Sequence, residues 1–106
     1  MAWTVIIIAG IFEVVWAAAM KQSDGFTRLV PSIVTFGAMV VSFALLAYGM
    51  RSLPLGTAYM AWTGIGAIGA FMVGIVCFGE PLTVVRAIAA LLVLSGLVLL
   101  KSPSAT

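Results

Sequence analysis

Glu13 stands inside an apolar run that reaches from Ala2 to Met20, and any chemistry in this chain starts from it. An acid near the middle of a membrane-length run costs several kcal/mol unless it is protonated, paired or hydrated. At helical spacing Gly10, Glu13, Trp16 and Ala17 share one face, so the carboxyl is flanked by one large aromatic and two small residues. In the second apolar run Ser32, Thr35, Met39 and Ser42 form a polar stripe; Ser42 lies nearest the middle, where its hydroxyl could hydrogen-bond a carboxylate. In the third, Tyr59, Trp62 and Thr63 share a face that continues to Gly66. A carboxylate boxed by indole and phenol rings suits a buried cation, because the acid supplies charge and the ring faces add cation–π attraction. An anion or a neutral sugar finds no partner there. Trp3 fits an interfacial anchor, and Tyr59 fits either an anchor or the site. Lys21 is too far from Glu13 for a direct pair within one helix, about 12 Å along the axis at 1.5 Å per residue.

What is missing narrows the chemistry further. The chain has no His, and its single Cys, Cys77, lies inside an apolar run where packing explains it. No metal site, no paired base and nucleophile, and no cofactor is therefore expected, so the chain does not read as an enzyme. Five Lys and Arg against three Asp and Glu give a net charge of +2 without a cluster, which excludes a nucleic-acid footprint.

The elements that must position these residues follow from composition. Of 106 residues 64% are hydrophobic and 8% charged, the signature of an all-α integral membrane protein. Four spans are expected, at about 2–20, 31–50, 55–78 and 83–100, each near the roughly 20 residues that cross a hydrocarbon core of about 30 Å. Pro31 opens the second, Arg51-Ser52-Leu53-Pro54 separates it from the third, Gly79-Glu80-Pro81 ends the third, and Lys101 with Pro103 closes the fourth. The connections are short, so consecutive helices are antiparallel neighbours, and residues 1–106 read as one membrane domain. The first span has no basic residue before it and an acid within it, so it reads as retained and not as a cleaved signal peptide. A multi-pass protein of the cell's inner (plasma) membrane is expected. In the third span Gly66, Ala70 and Gly74 recur every four residues with Gly64 and Gly69 beside them. They form a close helix seam, or Gly64-Ile65-Gly66 is a bend that changes between transport states. The fourth span, with only Ser95 and Gly96 to offer, reads as scaffold.

Orientation is nearly unbiased. The side holding both termini carries Arg51 and Lys101, the other Lys21, Arg28 and Arg86. So even a balance under the positive-inside rule predicts insertion in both directions and an antiparallel homodimer, the unfused form of an inverted repeat.

The motifs resemble a known family. Gly10-Ile11-Phe12-Glu13-Val14-Val15-Trp16-Ala17, with Lys21, Gly25-Phe26-Thr27-Arg28 and Pro31-Ser32, is similar to the opening of a small multidrug resistance transporter. Leu53-Pro54-Leu55-Gly56-Thr57-Ala58-Tyr59, Ala61-Trp62-Thr63-Gly64-Ile65-Gly66-Ala67 and Gly79-Glu80-Pro81-Leu82 continue the resemblance across essentially the whole chain. Trp16 and Trp62-Thr63-Gly64 resemble the guanidinium-exporting branch, whereas the drug-exporting branch tends to carry a small residue in place of Trp16. The resemblance implies a dual-topology antiparallel dimer, with Glu13 shared between proton and substrate and Trp16, Ser42, Tyr59 and Trp62 around it. Met60 departs from the pattern, where the family often has a small residue.

Both lines lead to one expected mechanism. Two Glu13 carboxylates, one from each subunit, face a common cavity and hold either protons or one planar cation, whose fixed fork of N–H donors suits bidentate carboxylate contacts. Other readings are an exporter of bulky quaternary ammonium cations, a non-transport membrane subunit and a proton channel.

Overall fold

The structure of the protein, a computed structural model, describes residues 2–101. Its helices are α1 (Ala2–Gln22), α2 (Leu29–Gly49), α3 (Leu55–Phe78) and α4 (Val84–Lys101), and all four are long and apolar enough to cross a membrane. Pro103, expected to help close α4, lies outside the described residues.

Helix ends differ from the sequence reading where local hydrogen bonds decide them. α1 continues to Gln22, and the chain then turns about Ser23. The buried Ser23 hydroxyl donates to the Met20 carbonyl at 2.6 Å and accepts the Phe26 N–H at 3.0 Å. Asp24, Gly25 and Phe26 follow with φ of 50°, 71° and 67°. α2 begins at Leu29, two residues before Pro31; the proline is harmless there because the first four N–H groups of a helix have no intrahelical partner. Thr83 precedes α4 as its cap, with the Arg86 N–H donating to Thr83 Oγ1 at 3.2 Å. Gly79 ends α3 with φ 64°, a left-handed conformation suited to glycine, and Pro81 follows.

α1 packs against both α2 and α3; α3 also carries α4, and α2 meets α3 only slightly. The helices therefore stand nearly side by side in the order α2, α1, α3, α4. The overall extents are 44 × 35 × 16 Å, so the bundle is flattened. Such a plate buries little: its core is Ile6, Ala9, Leu46, Ala58, Ala61 and Trp62. Large apolar residues such as Ile33, Phe36, Val76, Leu92 and Val98 are exposed, as suits a chain whose solvent is lipid.

With no hydrophobic drive between helices in lipid, close approach at small residues holds the plate together. Ile6 of α1 fills the space at Gly49 of α2, Ile65 of α3 that at Gly10, Val14 of α1 that at Gly69, and Leu97 of α4 that at Gly64. α3 runs as one helix through Gly64-Ile65-Gly66. α4 has no buried residue.

Candidate functional site

α1 and α3 cross at Glu13. Its carboxylate lies directly on Gly66, where any added Cβ would collide with Oε1, Cδ and Cγ. Gly10, one turn earlier, admits the Ile65 side chain, and a Cβ there would also stand 3.6 Å from the Trp62 carbonyl. The two glycines, one on each helix, thus bring the acid against α3 at Gly66, one turn beyond Trp62.

Trp62 is 6% exposed and ties three helices together. Its indole Nε1–H donates to Ser42 Oγ at 2.9 Å, and the Ser42 hydroxyl donates to the Ala9 carbonyl at 2.7 Å. Within an α-helix that carbonyl is also the acceptor for the N–H of the residue four positions on, Glu13. Ser42 therefore holds the backbone beneath Glu13 and fixes the Trp62 ring. The sequence reading had its hydroxyl bonding a carboxylate; in the structure its proton goes to Ala9 instead, because the α1–α2 register sets Ser42 against the preceding turn.

The aromatic residues form a string. Trp16 meets Phe43 edge-on with ring centroids 6.3 Å apart, Phe43 meets Trp62 at 5.7 Å, and Trp62 meets Tyr59 at 5.7 Å. Trp16, Tyr59 and Trp62 lie along this string, with Phe43 as the link between the two indoles, which the sequence reading missed. On a helix with exposed Phe36 and Val40, one more apolar ring carries no signal; its position next to Ser42 was the available hint. Tyr59 is half exposed, so one side of the string is open.

Among the described residues, two buried side-chain polar atoms lack a hydrogen-bond partner, Glu13 Oε1 and Trp16 Nε1. Leaving such a group unpaired costs about 1–3 kcal/mol. An acceptor and a donor one helical turn apart on α1 are thus available to something beyond the chain's own side chains. Lys21 is not paired with Glu13; the ion pair found among the described residues is Arg86 with Glu80, at 3.3 Å. A cavity of about 340 Å³ runs beside Ala17 and Ala70 to Lys21, Glu80 and Arg86.

The chain matches the Small Multidrug Resistance protein family over residues 1–94. It belongs to that family. A small multidrug resistance relative from Citrobacter freundii named Guanidinium exporter is 52% identical over 101 residues, covering 95% of this chain and 96% of its own. Another of that name from Yersinia pseudotuberculosis is 52% identical over 104 residues, 98% of this chain and 100% of its own. A third, from Escherichia coli K12, is 52% identical over 101 residues with the same coverage as the first. Against that background the Ser42 bonds give a test of what this small multidrug resistance chain uses the residue for. Ser42→Ala leaves Trp62 Nε1 unpaired and is expected to cost about 1–2 kcal/mol of stability in a reversible SDS unfolding titration. Trp62→Phe removes the donor as well, so the double variant is expected to be less destabilised than the sum of the singles. Strict additivity would show that the two side chains act independently.

Proposed function

We propose that the chain exports guanidinium and small guanidinyl cations in exchange for protons, as an antiparallel, dual-topology homodimer in the cell's inner membrane. The observation that carries the reading is Glu13: a carboxylate seated on Gly66 at membrane depth, with one oxygen buried and unpartnered. Guanidinium comes from the name of relatives 52% identical over nearly the whole chain. A planar cation with N–H donors suits a carboxylate acceptor, and the Trp16, Tyr59 and Trp62 rings supply faces for it.

A plate of four helices supports the dimer, since a site open on one face of a plate is completed by a second plate. Opposed copies place two Glu13 carboxylates on one cavity. Protons and the cation then compete for them, and a dimer that reorients only when loaded with one or the other couples an inward proton gradient to outward cation flow. Gly10 keeps α1 close to α3. Gly64 and Gly66, which carry no Cβ, let Leu97 and Glu13 slide along α3 as the dimer reorients, and act as its hinge.

Purified protein in sealed vesicles tests this. A proton gradient is expected to dissipate only when guanidinium is present on the opposite side, and faster with guanidinium than with tetraethylammonium. Dissipation without any cation would identify a channel, equal or faster exchange of tetraethylammonium a quaternary ammonium exporter, and no flux under any condition a non-transport subunit.

A further inference from the structure

Arg86 occupies surroundings that fit a bound guanidinium ligand. Its guanidinium lies 3.3 Å from Glu80 Oε1, donates to the Pro81 carbonyl, and stands 5.2 Å over the centroid of the Phe71 ring. A carboxylate, a carbonyl and an aromatic face are the partners a planar cation with N–H donors requires. The fold builds the cluster deliberately. The Gly79 and Glu80 N–H groups both turn back to the Gly74 carbonyl, and the Glu80 carboxylate folds over Gly74, where a Cβ would collide with it.

The cluster lies at one end of a cavity whose other end stops short of Glu13. It borders the cavity of about 340 Å³ that continues past Ala70 and Ala17. Ala17 is one helical turn beyond Glu13, and Ala70 one turn beyond Gly66. The cavity therefore approaches to about one helical turn from Glu13, which does not line it, and ends at the α3–α4 connection, where the apolar span ends.

We propose that Glu80, the Phe71 ring and the Pro81 carbonyl form an outer guanidinium site at the α3–α4 end of this cavity, occupied at rest by the protein's own Arg86, with which a free guanidinium cation competes. This rests on the reading of the chain as a guanidinium exporter. The site is weak by construction. Arg86 and Glu80 side chains are 34% and 37% exposed, so solvent screens the pair, and Lys21 on the same cavity repels any cation that enters. A weak site suits a cation that must be handed on, and Arg86 keeps it from being a trap.

The test is a guanidinium titration of the isotope-labelled full chain in lipid bicelles, read by the NMR amide shifts of Phe71, Gly74 and Glu80. Glu13→Gln serves as the background, so that binding at the inner carboxylate does not contribute. Adding Arg86→Ala is expected to tighten guanidinium binding at these amides about tenfold, and Arg86→Lys about threefold, because a point charge competes less well than a fork. Adding Glu80→Gln to either is expected to remove the saturable shift. Tetramethylammonium, a cation without N–H donors, is expected to gain less than about half as much as guanidinium in Arg86→Ala. Should Arg86→Ala disturb the turn, seen as collapsed amide dispersion, Arg86→Lys carries the comparison. The proposal is overturned if neither Arg86 variant shows a saturable guanidinium shift, if the shift survives Glu80→Gln, or if tetramethylammonium gains as much as guanidinium. Failure of the exporter reading itself shows differently, as absent guanidinium exchange by the unaltered protein in vesicles.

Discussion

Glu13→Gln is expected to lower guanidinium-dependent proton exchange at least about a hundredfold while leaving a folded, helical protein. Gln keeps the shape of the side chain and can still sit on Gly66, so the α1–α3 contact survives. What goes is the charge. A hydrogen bond to a charged group is worth about 1.5–3 kcal/mol, and each 1.4 kcal/mol is tenfold in affinity; in the proposed dimer, with one Glu13 in each subunit, the loss is taken twice. The variant also removes the proton acceptor, so cation binding and proton coupling are expected to disappear together. Exchange rates in vesicles, with circular dichroism and size-exclusion elution as controls for folding, give the measurement. Surviving exchange would require another acid, and Asp24 lies in the α1–α2 turn while Glu80 is paired to Arg86.

Gly66→Ala is the second large effect, and it separates placement of the carboxylate from its presence. Inside a helix Ala is favoured over Gly by about 1 kcal/mol, so secondary structure alone predicts a neutral or stabilising change. The structure predicts the opposite for function, because the new methyl would occupy the place of the Glu13 carboxylate. Moving a reacting group by about 1 Å can cost on the order of 100-fold, and a 10- to 100-fold fall in guanidinium exchange is expected at preserved helicity. Gly69→Ala is the matched control. Its methyl meets only the Val14 side chain on the same seam; the stiff, β-branched Val14 must shift to admit it, but the carboxylate is not displaced, and a loss of less than about fivefold is expected. Equal losses in the two variants would show that seam width, and not the position of the acid, sets the rate.

Much of this site can be read from the sequence, for physical reasons particular to each residue. Glu13 is conspicuous because a charge inside an apolar run has no structural excuse, and Gly10, Trp16 and Ala17 follow from a helical repeat that lipid leaves undisturbed. The glycines of α3 read as a seam because small residues are what membrane helices use to approach one another. Which neighbour each receives could not be read: Gly66 takes Glu13, Gly69 takes Val14 and Gly64 takes Leu97, and that depends on the rotation of α3 between α1 and α4. The destination of the Ser42 proton was hidden in the same way, since one turn of register separates the Ala9 carbonyl from the acid. Phe43 was missed because a ring on an apolar helix differs from its neighbours only once the Trp16 and Trp62 rings are placed on either side of it. The Arg86, Glu80 and Phe71 cluster needs the left-handed Gly79 turn to fold Glu80 back over α3, a geometry that Gly79-Glu80-Pro81 signals as a helix stop without saying what it brings together.

The central claim is that proton and cation share Glu13, and the most direct measurement is proton release on binding. Guanidinium added to the unaltered protein in weakly buffered detergent solution, at a pH where Glu13 is largely protonated, is expected to release protons in a saturable manner that follows cation binding, and Glu13→Gln is expected to release none. Saturable guanidinium binding to the unaltered protein without proton release, or release that persists in Glu13→Gln, would contradict the account.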